Sequence, residues 1–257
     1  MDKINIGFIG GCINNQPGIR RDAHYHSILS RDLDLCGHQH QISLAVYLSY
    51  NQLYRQVQRH ITMKKPDILF LFVRPFPMMP LQKLLIKYDK AGNKKGWALH
   101  PALFTRAAEW NEAFTANQSD NGYGYVKRSK FELRDINILL GILLGLHHWS
   151  FNYIRKQLEL ANSLCDQHEI KLCIISPPKN PESLLGNKIC YDATRSIEKY
   201  CIDNDLSFLD INKLPLDNFE DDKLHFNAAG HKAIAKLIAQ ELATYIKSVE
   251  QPHYALA

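Results

Sequence analysis

Cysteine, charge of one sign and long apolar runs are all scarce in this chain, and each scarcity closes a class. Its 257 residues hold six cysteines and no CxxC pair, too sparse for a disulfide scaffold. Cys12 and Cys173 fall inside apolar runs, where reduced thiols of a reducing compartment lie, so a cytoplasmic location is expected. The apolar run Ile138 to Leu146 is far short of the ~20 residues that cross a bilayer. Asp2 and Lys3 lead straight into Ile4-Asn5-Ile6-Gly7-Phe8-Ile9, which leaves no room for the apolar region of a signal peptide. The same shortness argues against reading Ile9-Gly10-Gly11-Cys12 as a lipidation site. A net charge of +5 comes without a basic stripe interleaved with aromatics, so nucleic acid is not an expected partner. Lys83, Lys87, Lys90, Lys94 and Lys95, diluted only by Asp89, read as a solvated helix face and turn, with an anion-binding patch as the alternative.

The remaining composition, 46% hydrophobic and 22% charged, is that of an ordinary globular protein. The length suits a single α/β domain spanning 1–257 and enlarged by an insertion. Five short apolar runs, Ile4 to Ile9, Ile42 to Leu48, Ile68 to Val73, Leu172 to Ile175 and Leu206 to Ile211, read as strands buried on both faces. They alternate with helical patterns at Asn51 to Met63, Leu146 to His168, Asp192 to Asn204 and Ala228 to Lys247, the mark of a parallel sheet between helices. The segment 77–135 has no strand pattern. It is expected to be a helical insertion after the third strand that forms a lid or substrate-binding segment, where loops of open α/β sheets meet ligands.

Two segments carry the chemistry. Gly10-Gly11-Cys12-Ile13-Asn14-Asn15 follows the first strand, where two glycines let the backbone turn and expose Cys12. A following helix would lower the thiol pKa, whereas a buried cysteine in a tight turn is the plain alternative. In Asp222-Lys223-Leu224-His225, before the last helix, the carboxylate can hold one imidazole nitrogen and leave the other to take a proton. Alone, that spacing is equally a helix cap.

Together the two segments resemble the SGNH (GDSL-type) hydrolase family. That family has Gly-Asp-Ser after strand one and Asp-x-x-His before the last helix. Lys65-Pro66-Asp67-Ile68-Leu69, Ile174-Ile175-Ser176-Pro177-Pro178 and Asn204-Asp205-Leu206 to Asp210 resemble its intermediate landmarks. The resemblance implies a flavodoxin-like three-layer α/β/α sandwich with a five-stranded parallel sheet. It also implies Cys12 as nucleophile, His225 as general base and Asp222 as its orienter. The chain departs from the family pattern at Cys12, which replaces the serine, and at Arg74-Pro75-Phe76-Pro77, which replaces Gly-x-Asn-Asp. The oxyanion position then falls to the backbone after Gly11, with Arg74 or Asn14. Ser49 or Asn51 stand in for the second-block glycine. Arg74 is otherwise a structural ion pair or a clamp on a substrate carboxylate.

A thiolate attacking an oxyester is itself the better leaving group, whereas on a thioester the entering and leaving groups are matched. Cys12 therefore tilts the expectation towards an acyl hydrolase or acyltransferase acting on a small-molecule acyl thioester. Coenzyme A or a phosphopantetheine-linked carrier protein would be the donor, and no cofactor is called for. A carboxylic-ester hydrolase or deacetylase, and an inactive binding protein, stay open. Ser176 reads as structural, His38-x-His40 as solvated loop histidines, and His147-His148-Trp149 as packing. His24 and His26 either touch substrate or cap a helix. The glycines between Gly7 and Gly11 lack a full nucleotide fingerprint.

Overall fold

The computed structural model describes residues 3–16, 18–47, 53–73, 86–88, 94–97, 139, 143–144, 146–178, 184–220 and 225–250. Its five-stranded parallel sheet has the order β2-β1-β3-β6-β7. The strands are β1 (Ile4–Gly10), β2 (His40–Val46), β3 (Ile68–Phe72), β6 (Lys171–Ile175) and β7 (Ser207–Leu209). All five expected runs are therefore strands. β2 starts two residues earlier than its apolar run, and β7 is trimmed at both ends.

Every residue of β3, Ile-Leu-Phe-Leu-Phe, is buried, because helices cover both faces of the sheet. Alternate side chains feed two cores. Leu69 and Leu71 pack with Ile9 and Ile174 against α2 (Leu53–Lys64), α3 (Leu146–Gln167) and α4 (Leu184–Asp203). Ile68, Phe70 and Phe72 pack with Ile6 and Phe8 against α1 (Tyr25–Leu35) and α5 (Ala228–Glu250). Ile6 stands level with Ile42 on one side and Ile68 on the other, and Phe8 stacks on Phe70 at 5.2 Å. Each such fully buried side chain contributes about 2 kcal/mol of transfer free energy.

Three elements differ from the sequence expectation. Helix α1 has no counterpart among the expected helices, although Tyr25, Ile28, Leu29 and Leu33 make a helical stripe. Helix α4 begins at Leu184, eight residues before Asp192. Within the insertion expected to be helical, β4 (Ile86–Tyr88) and β5 (Lys94–Trp97) form an antiparallel hairpin. Gly92 and Asn93, between the two short strands in sequence, are residue types that favour turns. The rest of 77–135 lies outside the described residues. Among the described residues no helix is long and apolar enough to cross a membrane.

The sheet order reverses at β1, which lies between β2 and β3. The crevice beyond the carboxyl ends of β1 and β3 is where such sheets bind ligands.

Candidate active site

The chain leaves β1 into a short 3-10 helix, Cys12–Asn15, with Gly11 at its N-cap. Neither Gly10 nor Gly11 takes a left-handed conformation. Gly10 is needed for a close approach instead: a Cβ there would lie 2.9 Å from Asn14 Oδ1 and 3.2 Å from Phe72. Asn14 is buried beneath the turn. Its amide donates to the carbonyls of Ala45 (2.8 Å) and Phe8 (3.5 Å), and its Oδ1 accepts from the Tyr25 hydroxyl (2.7 Å). The expected oxyanion role of Asn14 therefore gives way to a supporting one, since its amide hydrogens are spent on β1 and β2 carbonyls. Tyr47 closes the neighbouring strand end, its amide on Gly10 O and its hydroxyl on Phe72 O.

The second segment is equally ordered around its described residues. Phe219 and Phe226 form an antiparallel bridge with rings 4.6 Å apart, and the Glu220 amide donates to His225 O at 2.8 Å. Asn227 Oδ1 caps α5 by accepting from the Gly230 amide at 3.0 Å. A Cβ on Gly230 would lie 2.1 Å from the Asn218 carbonyl oxygen, so only glycine lets α5 start against this loop.

A hydrogen bond joins the two segments: Gln16, at the C-cap of the Cys12 helix, donates from Nε2 to Phe226 O at 2.7 Å. That bond brings two segments from the far ends of the sequence, the 3-10 helix that follows β1 and the loop before α5, together beyond the carboxyl end of β1. Ser49, Asn51, Arg74 and Asp222, and the side chain of Cys12, lie outside the described residues.

Three histidines, His24, His26 and His231, gather beside the two segments. His24 and His231 are buried, with ring centroids 5.0 Å apart, and His26 stacks on His24 at 5.3 Å. His24 sits at the N-cap position of α1 but makes no side-chain cap. The cap comes from another helix: the Tyr25 amide donates to His231 Nδ1 at 3.3 Å. That bond fixes the His231 tautomer, with the proton on Nε2. Burial, then the neighbouring His24 and His26, push the His231 pKa down to about 3. His26 is lowered by burial first and by His24 second, against a hydrogen bond to the Asn14 backbone. The signal available in the sequence was three histidines flanking the two candidate segments.

Other candidates resolve into packing. The Ser176 hydroxyl is fully buried, donates to Asp210 Oδ1 at 3.0 Å and accepts from the Ile211 amide and Asn212 Nδ2. Ser176→Ala is expected to cost about 1–3 kcal/mol in urea unfolding and to leave kcat unchanged, because it strips partners from buried polar groups that hold Asp210 and Asn212. His40 is not a solvated loop histidine: its imidazole is buried, with Nε2 2.7 Å from Ser30 Oγ and Nδ1 on His38 O at 3.0 Å. Among the described residues no three His, Cys, Asp or Glu side chains converge as metal ligands do. Burial pushes the thiols of Cys165 and Cys201 up to about 12 and raises Cys173 well above its usual value, while Cys36 is exposed.

No family model matches the chain, and no curated protein matches it. Solved structures do. An acetyl xylan esterase, AlAXEase, shares 16% identity at a TM-score of 0.56, covering 93% of this chain and 99% of its own. A lipase/acylhydrolase from Enterococcus faecalis shares 13% at 0.55, covering 93% and 95%. A member of the lipolytic G-D-S-L family from Veillonella parvula shares 8% at 0.54, covering 92% and 97%. At these identities the likeness is one of fold, and it extends over nearly the whole chain.

Proposed function

We propose that the chain is an acyl hydrolase or acyltransferase in which Cys12 is the nucleophile, His225 the general base and Asp222 the group that orients it. The observation that carries this reading is the Gln16–Phe226 hydrogen bond, which sets the Cys12 turn beside the His225 segment. His225 takes the thiol proton, and the sulfur attacks the acyl carbonyl carbon. As the tetrahedral intermediate collapses, the C–S bond to the enzyme remains and the donor's thiolate or alkoxide leaves with the proton held by His225. Water, an amine or an alcohol then attacks the thioester, gives its proton to His225, and Cys12 leaves as the thiol. The backbone amide of Cys12, with Arg74, would face the developing oxyanion. A thioester donor is favoured by the matched leaving groups. The esterase names of proteins sharing the fold favour the second reading, a carboxylic-ester hydrolase.

Intact-protein mass spectrometry separates them. Brief incubation with acetyl-coenzyme A or with ethyl acetate is expected to leave an acetyl adduct on the Cys12 peptide, faster from the thioester. An adduct from the oxyester alone selects the second reading. The absence of any Cys12 adduct, with its thiol no more reactive to iodoacetamide than exposed Cys36, selects a binding protein without turnover.

A further inference from the structure

Two ties connect the Cys12 helix to the His225 segment, and neither contains a group that the proposed chemistry uses. The shorter tie is Gln16 Nε2 on Phe226 O at 2.7 Å. The longer runs through one residue, Tyr25, the first of α1. Its hydroxyl donates to Asn14 Oδ1 inside the Cys12 helix at 2.7 Å, and its amide donates to His231 Nδ1 at 3.3 Å. The His231 amide in turn donates to Asn227 O at 2.9 Å, one helical turn back and two residues from His225. All the intermediaries are sequestered: Asn14, Gln16, Tyr25 and His231 are each at most 5% exposed. Buried hydrogen bonds of this kind define one geometry, because slipping them leaves polar atoms unpaired.

We propose that Tyr25, His231 and Gln16 are positioning residues that fix the separation of Cys12 and His225, His231 doing so by capping α1 from α5. This rests on the Cys12–His225 reading. Helix α1 lacks a cap of its own at His24, so its first amide, one of the donors left over at any helix start, is available to measure where α5 begins. The groups facing His231 are His24 and His26 from the α1 side, the Tyr25 ring stacked at 6.1 Å, and Phe226 from the loop, with no carboxylate among the described contacts to draw its imidazole elsewhere. The dyad's spacing is thus set by α1 and α5, and the nucleophile loop follows them. A displacement on the order of 1 Å at a reacting pair costs about a hundredfold in rate.

The test uses the full chain and two probes, 4-nitrophenyl acetate turnover and the pH midpoint of Cys12 alkylation by iodoacetamide. Tyr25→Phe, Gln16→Leu and His231→Leu are each expected to lower kcat about 10- to 100-fold with KM within twofold. Each should also move the alkylation midpoint towards the ~8.5 of a free thiol. His231→Asn places an acceptor where Nδ1 stands and should recover most of the kcat lost in His231→Leu. Variants that melt earlier yet keep both kcat and midpoint would overturn the proposal and leave Tyr25 and His231 as packing. An ordinary midpoint already in the wild type would overturn the Cys12–His225 reading and this one with it. A depressed wild-type midpoint unmoved by all three variants overturns this one alone.

Discussion

His225→Ala is expected to lower kcat/KM on the accepted acyl donor by about 10³- to 10⁴-fold, the range lost when a general base is removed. At 1.36 kcal/mol per decade that is about 4–5.5 kcal/mol of transition-state stabilisation. Cys12→Ala should lose as much and abolish the acyl adduct outright. The decisive quantity is the double variant. If the two residues act as one device, Cys12→Ala/His225→Ala will be scarcely slower than either single change, because the second loss removes a partner already idle. Multiplying penalties would mean that His225 serves some other step, and equal adduct formation in His225→Ala would remove it from the mechanism. Cys12→Ser should regain part of the activity on 4-nitrophenyl acetate if His225 is a competent base, and on a thioester as well, since the donor's thiolate leaves a tetrahedral intermediate more readily than a serine alkoxide. Steady-state kinetics with both donors measures all of this.

The second large effect is thermodynamic. His231 is buried and neutral in the fold, with its pKa pushed down from 6.5 to about 3 by burial first and by His24 and His26 after it. The unfolded chain, whose histidine titrates normally, therefore binds one proton more than the native state between those limits. Stability is full above about pH 6.5 and falls as the pH drops through the window towards 3. One proton corresponds to about 1.4 kcal/mol per pH unit, so His231 alone should cost about 2 kcal/mol between pH 7 and pH 5. His26 and His60, both also lowered chiefly by burial, act in the same direction. Urea unfolding of wild type and His231→Asn at the two pH values isolates the effect. The variant should show a shallower loss on acidification by about 2 kcal/mol, whatever its stability at pH 7. Parallel losses in both proteins would mean that His231 is charged, or indifferent, in the fold.

The strands were legible because a parallel sheet covered on both faces leaves unbroken apolar runs, and Ile68 to Phe72 is the plainest of them. Helix α1 was not, since its stripe of Tyr25, Ile28, Leu29 and Leu33 is interrupted by histidines, serine and aspartates, and its cap lies over two hundred residues away. No local signal could carry that cap. The proposed site rests on two spacings, Gly11-Cys12 after the first strand and Asp222-x-x-His225 before the last helix, and Asp222 lies outside the described residues. Asn14 was misjudged for a physical reason. An asparagine two residues past a nucleophile position looks like a donor to substrate until the carbonyls of Phe8 and Ala45 are found beneath it. The hairpin Ile86–Tyr88/Lys94–Trp97 shows the opposite fault, strands too short and too lysine-rich for a periodicity to register.

The cap that α5 supplies to α1 also orders events in time. Strands β1, β2 and β3 are near in sequence and can pair as soon as they exist, each closing a modest loop. Helix α1, lying between the first two, begins with an amide that stays unanswered until residue 231 has been synthesised and α5 has docked. An emerging chain would hold its first helix frayed at the start while the sheet beside it was already assembled. Maturation of the Cys12 turn, which leans on Tyr25, would then be among the last steps of folding rather than the first, and an incomplete chain would carry Cys12 in a turn not yet fixed.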